Sequence, residues 1–190
     1  MRRGLVALVV ACTVTGPLAA APIPPGSSCI PYGSDWAFMM SAPPGWEGEC
    51  NAEKSTGAVV VYWPVGGQWA TAASVLYVSV YKKNGESLAQ VIEHDLVAFK
   101  ERNPEGVISD GQPVKTSDGA LLPVKMTSGL RRGRFEAIAY ADQPTVVLII
   151  GLTSKTSEDR EAAMPAFQAL IESYVRIDKV EFKNAEHGPT

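Results

Sequence analysis

Residues 135–153 read FEAIAYADQPTVVLIIGLT, and this stretch decides the fold. It contains two strand-like runs on either side of a short turn, Asp142-Gln143-Pro144. The second run, residues 146–150, is continuously apolar and rich in β-branched side chains. Such a run is typical of a strand that is buried on both faces in the middle of a sheet. We therefore expect the rest of the chain to be arranged so that it covers this strand.

The segments around this centre alternate between strand-like and helix-like patterns. Apolar residues at helical spacing predict a helix from the N-cap Ser87 to about Arg102, where an Asn-Pro pair prevents its continuation. A second helix is predicted from Thr156 or Ser157, and Pro165 is expected to kink it or to mark its true first turn. Strands are predicted at residues 36–41, 58–63, 74–81, 111–116, 120–127, 133–141 and 145–153. This order predicts an α+β fold with a mostly antiparallel central sheet of about six or seven strands, covered by two main helices.

The N-terminus has the pattern of a secretory signal peptide. A short positive segment with Arg2 and Arg3 precedes an apolar run and a stretch of small residues that ends near Ala21. No uninterrupted apolar run of about 18 residues is present, which argues against a transmembrane anchor. A lipoprotein cleavage box at Cys12 is the alternative.

The chain therefore divides into a signal peptide (residues 1–21), a linker (22–33), one α+β domain (34–177) and a flexible tail (178–190). We expect a periplasmic or secreted protein with no stable membrane insertion after the signal peptide is cleaved.

The charge and the cysteines limit the possible partners. The net charge is −3, and removal of the two N-terminal arginines makes the mature domain more acidic, which argues against a nucleic-acid partner. Cys29 and Cys50 remain after cleavage, and an even number of cysteines in an oxidising compartment predicts a disulfide. Two free thiols are the alternative. Because the sequence contains only two histidines, His94 and His187, we expect no metal site, and nothing indicates a cofactor.

Several motifs together resemble the PsbP-like family. Ala42-Pro43-Pro44-Gly45-Trp46 follows the first predicted strand and is similar to the P-x-G-W turn of that family. A later strand leads into a helix that opens with Ser87-Leu88. The last helix carries Pro165 and ends with Glu172-Ser173-Tyr174-Val175, like the family's helix that ends in serine and an aromatic residue. The resemblance covers residues 36–177.

This resemblance implies an α/β/α sandwich with an antiparallel central sheet. The family shares that fold with a Ran-binding nuclear import factor and with many small exported bacterial proteins. The resemblance implies no common activity, because the known members act as assembly or accessory proteins and as partner-binding modules. The plant photosystem members use metal-ligand histidines, and no comparable pair can be placed in this sequence, so a photosynthetic role is not implied.

Arginines form the first candidate partner-binding group. Arg131, Arg132 and Arg134 cluster around a connection between two predicted strands and are the densest positive charge in an acidic protein. Such a cluster can dock a carboxylate- or phosphate-bearing partner through bidentate contacts. The alternative is an ordinary charged hairpin loop that discourages edge pairing.

Aromatic residues form the second candidate group. Tyr62, Trp63 and Trp69 surround a loop that contains two adjacent glycines. Aromatic residues on such a loop can line a ligand groove or anchor an interface. The alternative is that they only cap the end of the sheet. We expect Trp36 and Trp46, by contrast, to pack in the core around the Pro-Pro-Gly turn.

The sequence contains no motif that would activate a nucleophile, so we assign no catalytic residues. His94 and Asp95 are adjacent on the first helix and diverge by about 100°, and we expect Asp95 near the apolar stripe and His94 in water. We therefore favour a non-enzymatic exported binding or accessory protein of the bacterial cell envelope, whose partner is a protein or a small ligand. The alternative is a small periplasmic hydrolase, which requires Glu or Asp side chains to converge in a pocket.

Overall fold

The described part of the chain folds into short and long strands with two helices between them. A computed structural model describes residues 23–50, 52, 57–130 and 133–178. The helices within these ranges are α1 (Leu88–Arg102) and α2 (Ser157–Glu172). The strands are β1 (Ser28–Cys29), β2 (Phe38–Ser41), β3 (Trp46–Cys50), β4 (Val60–Pro64), β5 (Ser74–Lys82), β6 (Val107–Asp110), β7 (Val114–Lys115), β8 (Leu121–Leu122), β9 (Val124–Ser128), β10 (Phe135–Asp142), β11 (Val146–Ser154) and β12 (Val175–Arg176).

Strand β11 occupies the centre of the main sheet, as its apolar run predicts. Among the described strands, seven pair antiparallel in the order β3-β4-β5-β11-β10-β9-β6. β11 pairs with β5 along its whole length, from Val146 opposite Lys82 to Ser154 opposite Ser74, and β10 pairs with its other side. Val147, Leu148 and five other residues of this strand are buried, so neither face of β11 is open to water. The prediction of a fully buried central strand is confirmed.

The two helices cover opposite faces of this sheet. α2 packs Phe167, Leu170 and Ile171 against a face that includes alternate residues of β11 such as Leu148 and Ile150. α1 lies on the other face, where it buries a second apolar cluster: Val91, Ile138, Tyr140 and Val147, with Leu88 and Ile92 at its margin. Successive side chains of a strand point to opposite faces, and this alternation separates the two clusters. The predicted α/β/α sandwich is confirmed.

Both helices begin at the caps that the sequence predicts. Ser87 forms a capping box with Gln90, because each side chain accepts a hydrogen bond from the other residue's backbone N–H. Thr156 caps α2 by accepting a hydrogen bond from the backbone N–H of Asp159 at 3.0 Å. Pro165 lies well inside α2, so the expectation that it marks the first turn is wrong.

Two strands of the main sheet lie where the sequence prediction had none. β3 follows the Pro-Pro-Gly turn immediately, and its Glu-Gly-Glu centre resembles a loop more than a strand. β6 is a short, exposed edge strand with few of the apolar residues that mark a strand. The predicted strand at residues 36–41 exists in part as β2, but it belongs to a small separate sheet, in the order β1-β2-β12. Its position could not be read from the pattern, because its partners are two-residue segments from both ends of the domain.

The predicted linker is part of the fold. Ile23 and Gly48 exchange backbone hydrogen bonds of 2.5 and 3.1 Å, which attaches the N-terminal segment to the outer edge of β3. β1 then pairs with β2. Cys29 and Cys50 form a disulfide with a Cα–Cα distance of 6.1 Å, so the predicted pairing is confirmed. A link across about 20 residues stabilises a domain by roughly 3 kcal/mol in the chain-entropy model.

Several sequence predictions lie outside the described residues. These are the signal peptide, the alternative cleavage at Cys12, the tail beyond Asp178 and its His187. Across the residues that the structure does describe, neither helix is long and apolar enough to span a membrane.

Gly151 gives space to the ring of Tyr77 on the neighbouring strand. The two residues are direct partners in the β5–β11 ladder, and a Cβ built on Gly151 would overlap the phenol ring. Alanine normally stabilises a strand relative to glycine. We predict the opposite sign here: Gly151→Ala lowers the free energy of unfolding by about 1–3 kcal/mol, because the ring is displaced.

Urea unfolding of Gly151→Ala, Tyr77→Ala and the double variant measures this effect. In the Tyr77→Ala background, Gly151→Ala is expected to change the free energy of unfolding only slightly, because the tyrosine ring that it would displace is absent. Strictly additive effects of the two substitutions would contradict the explanation.

Candidate functional site

The predicted aromatic and arginine groups are only partly accessible. Tyr62 is fully buried in the α2 side of the core and Trp63 is 4% exposed, which corrects the expectation that both could contact a partner. Trp69 is 39% exposed. Arg134 is half-buried at the start of β10, whereas Arg131 and Arg132 lie outside the described residues.

A single carboxylate organises the aromatic loop. Glu47 Oε1 on β3 accepts hydrogen bonds from Trp63 Nε1 at 3.1 Å and from the backbone N–H of Gly66 at 3.0 Å. The indole of Trp63 is therefore turned inward and its polar atom is satisfied. The loop that follows β4 is tied to the sheet at Gly66, and Trp69 is the aromatic residue that it leaves in contact with water.

Trp69 and Arg134 line one groove, although they are 65 positions apart in the sequence. The groove has a volume of about 280 Å³ and lies on the α1 face of the sheet, beside α1 rather than under it. Tyr77, Ser79 and Thr153 form its floor, because the register of β5 and β11 places these side chains on that face. The groove thus brings together two predicted surfaces that the sequence alone kept apart.

A second cavity adjoins this groove on the other side of Tyr77. It has a volume of about 300 Å³ and lies between α1 and the sheet. Asp95 and Arg102 project into it from α1, and Glu136 and Thr127 line it from the sheet. Because Thr127 and Glu136 are direct partners in the β9–β10 ladder, their side chains stand side by side on the same face.

Glu136 is the most perturbed carboxyl of the site. Burial raises its pKa from the usual 4.5 to about 7, and the negative charge of Asp95 adds to this effect. The Thr153 hydroxyl and the guanidinium groups of Arg134 and Arg102 act in the opposite direction. Near neutral pH, Glu136 therefore exchanges between its acid and its carboxylate form.

One phenol, Tyr77, lines the cavity, and a second, Tyr140, contacts one of its carboxyl groups. Tyr140 donates its hydroxyl hydrogen to Asp95 Oδ2 at 2.7 Å, which fixes the Asp95 carboxylate. Burial raises the pKa of Tyr140, and the charge of Asp95 raises it further. Burial also raises the pKa of Tyr77 well above its usual value, with Glu136 and Asp95 contributing. Both phenols are therefore protonated at neutral pH, so each has a hydroxyl hydrogen to donate.

The exposed histidine of α1 takes no part in the cavity. His94 Nδ1 lies 2.6 Å from Glu86 Oε1, and its side chain is 62% exposed. Asp95 faces the sheet, so the expected divergence of these two residues is confirmed. Among the described residues, no group of three or more His, Cys, Asp or Glu side chains could hold a metal ion.

A further cavity, of about 310 Å³, lies at the far end of the sheet near Asp118 and Arg176. Its charged groups already have partners. The Thr116 hydroxyl and the Ala120 backbone N–H donate to Asp118, and Arg176 pairs with Asp178. The cavities beside Tyr77 are therefore the better candidate for a functional site.

Comparison with known proteins bears on the fold. No protein-family model and no curated protein matches the chain. The solution structure of cyanobacterial PsbP (CyanoP) from Synechocystis sp. PCC 6803 matches it with a TM-score of 0.51 and 14% identity, over 85% of this chain and 100% of that chain. The 190-residue chain itself therefore has a PsbP-like fold. The crystal structure of PA94, a protein of unknown function from Pseudomonas aeruginosa, gives a TM-score of 0.46 at 14% identity, over 79% of this chain and 97% of that chain.

Sequence reasoning missed the central residues of this site in the PsbP-like fold. Glu136 is the one carboxylate within the largely apolar run of residues 135–141, and that interruption was the available signal. No sequence pattern around Tyr77 or Arg102 marked either residue as part of a site. Their convergence depends on which face of the sheet α1 covers, which the periodicity of one segment does not specify.

Replacement of Glu136 by glutamine tests the state of this carboxyl. Its pKa is about 7 in the folded protein and near 4.5 in the unfolded chain, so the folded protein binds the proton more tightly. This group therefore stabilises the fold at low pH and loses that contribution as the pH rises through about 7, by an amount on the order of 3 kcal/mol. We expect Glu136→Gln to gain stability relative to the wild type between about pH 5 and about pH 8.

The urea midpoints of the wild type and of Glu136→Gln, measured at about pH 5 and about pH 8, give the change in their relative stability. Glu161→Gln, an exposed carboxylate on α2, is the matched control and should follow the wild type. A constant difference between Glu136→Gln and the wild type at both pH values would show that Glu136 titrates normally.

Proposed function

We propose that this protein is a non-enzymatic exported binding or accessory protein of the bacterial cell envelope, and that its partner binds in the groove between Trp69 and Arg134. The observation that carries the proposal is the convergence of these two residues on one groove. An aromatic anchor beside an arginine is the composition that dominates binding energy at protein interfaces.

The groove is suited to a partner that carries a carboxylate or a phosphate. Arg134 presents a planar guanidinium that can make two parallel hydrogen bonds to either group. Trp69 offers a partly exposed indole on a loop that Glu47 holds in place, so little ordering would be needed on binding. The floor is rigid because it consists of paired strands.

Export is supported by two independent features. The N-terminal residues have the charge and composition of a signal peptide. The Cys29–Cys50 disulfide is the kind of link that persists in an oxidising compartment such as the periplasm.

The test is partner capture from a native envelope extract with the chain from residue 22 onward, followed by identification of the bound protein and measurement of its dissociation constant. Trp69→Ala and Arg134→Ala are each expected to weaken binding by about tenfold or more. The matched controls are Tyr32→Ala, an exposed tyrosine, and Arg176→Ala, an arginine at the far end of the sheet, and both should bind as the wild type does. Unchanged binding by both groove variants would exclude this surface.

A second candidate is a small hydrolase that uses carboxylates. Asp95 and Glu136 line the same cavity, and a glutamic acid with a pKa of about 7 is suited to transfer a proton near neutral pH. We expect a panel of ester, glycoside and phosphate substrates to decide this case. Turnover that is lost in both Glu136→Gln and Asp95→Asn would favour the hydrolase, and absence of turnover by the wild type counts against it.

A further inference from the structure

The cavity between α1 and the sheet is lined by two carboxyl groups and by a buried hydroxyl that has no partner among the described residues. The carboxyl groups of Asp95 and Glu136 both line it. The hydroxyl oxygen of Thr127 lines it as well; this residue is 1% exposed, and its Oγ1 has no hydrogen-bond partner among the described residues. A buried hydroxyl without a partner is costly, and such groups indicate a missing ligand or water.

We propose that this cavity binds the ammonium group of a primary amine carried on an apolar stem, through Asp95, Glu136 and Thr127. The inference goes beyond the proposed function, because it concerns the cavity between α1 and the sheet and not the groove at Trp69 and Arg134. A primary ammonium has three N–H donors and no acceptor. Asp95, Glu136 and Thr127 line the cavity with carboxyl and hydroxyl oxygens, which are the groups that accept hydrogen bonds from such a cation.

The walls of the cavity suit an apolar stem attached to that ammonium. Leu96, Ile138 and Ile149 supply aliphatic surface, and Phe99 and Tyr77 supply aromatic rings. Aromatic faces attract cations, and the attraction is greatest where water is excluded. An amine with a short alkyl chain, such as the side chain of a lysine, fits this combination.

The distribution of charge favours a cation over an anion at the centre of the cavity. The charged and titratable groups around Glu136 are Asp95 and Arg102 on α1, Tyr77 on β5, Tyr140 on β10 and Arg134 immediately before β10. Arg102 is exposed at the margin, and Arg134 lines the adjoining groove. An anion in the cavity would meet two carboxyl groups, whereas a cation would stabilise the ionised form of Glu136.

The same arrangement makes amine binding depend on pH. Glu136 must lose its proton before it can pair with an ammonium, and burial raises its pKa to about 7. An alkyl amine stays charged well above that pH. Affinity for the amine should therefore fall as the pH is lowered below about 7, by up to about tenfold per pH unit.

The experiment is a titration of the folded protein with pentylamine, followed by backbone NMR, with 1-pentanol and pentanoate as matched probes of equal stem length. We expect pentylamine to shift the resonances of Thr127 and Ile138, and to bind about tenfold or more tightly than either control probe. Glu136→Gln and Thr127→Val should each weaken pentylamine binding, whereas Glu161→Gln, on the exposed surface of α2, should not.

Equal binding of pentylamine and pentanol, or pentylamine shifts that avoid the cavity, would overturn the inference. If Glu136→Gln does not fold, the pH dependence of the wild type decides: an affinity for pentylamine that is constant between about pH 5.5 and about pH 8 overturns it as well. Failure of partner binding through Trp69 and Arg134 is a separate result, because the pentylamine titration uses neither residue. Pentylamine binding without a partner effect would remove the proposed function and leave a small-molecule amine site.

Discussion

The two-sided pairing of β11 is the constraint on which the rest of this structure depends. Its backbone is held by β5 on one side and by β10 on the other, and its side chains are buried on both faces. A strand in that position needs a helix on each face of the sheet, and α1 and α2 supply them. A three-residue turn, residues 143–145, joins β10 to β11 and makes that pair antiparallel, whereas α1 and five strands separate β5 from β11 in the sequence.

The two faces of the sheet differ in the character of their contacts, and this difference creates the site. On the α2 face, small residues of β10 such as Ala137 and Ala139 let Phe167 and Leu170 pack closely. On the α1 face, Tyr77 and Glu136 interrupt the apolar surface, and α1 covers only part of it. The polar side chains under and beside α1, such as Glu136 and Arg134, are not packed into an apolar core. They line two adjoining cavities instead, with Tyr77 between them.

Sequence reasoning reached the features that local physics decides. The central strand, the cap at Ser87 and the disulfide between Cys29 and Cys50 each follow from a short pattern or from cysteine number. It failed where the outcome depends on distant segments. Tyr62 was assigned to a surface because it adjoins a glycine-rich loop, but its side chain is buried in the core cluster on the α2 side of the sheet. Trp69 and Arg134 were identified separately, and only the register of β5 and β11 shows that they share a groove.

The edges of the main sheet have unequal protection. At β3, Ile23 occupies both outward hydrogen-bonding groups of Gly48, and the disulfide at Cys50 holds the N-terminal segment beside that strand. At the opposite end, β6 has β9 as its one partner among the described strands. Among the described strands of the main sheet, β6 therefore offers the less protected edge. Two copies paired through β6 would each use up this edge, so pairing of this kind closes as a symmetric pair.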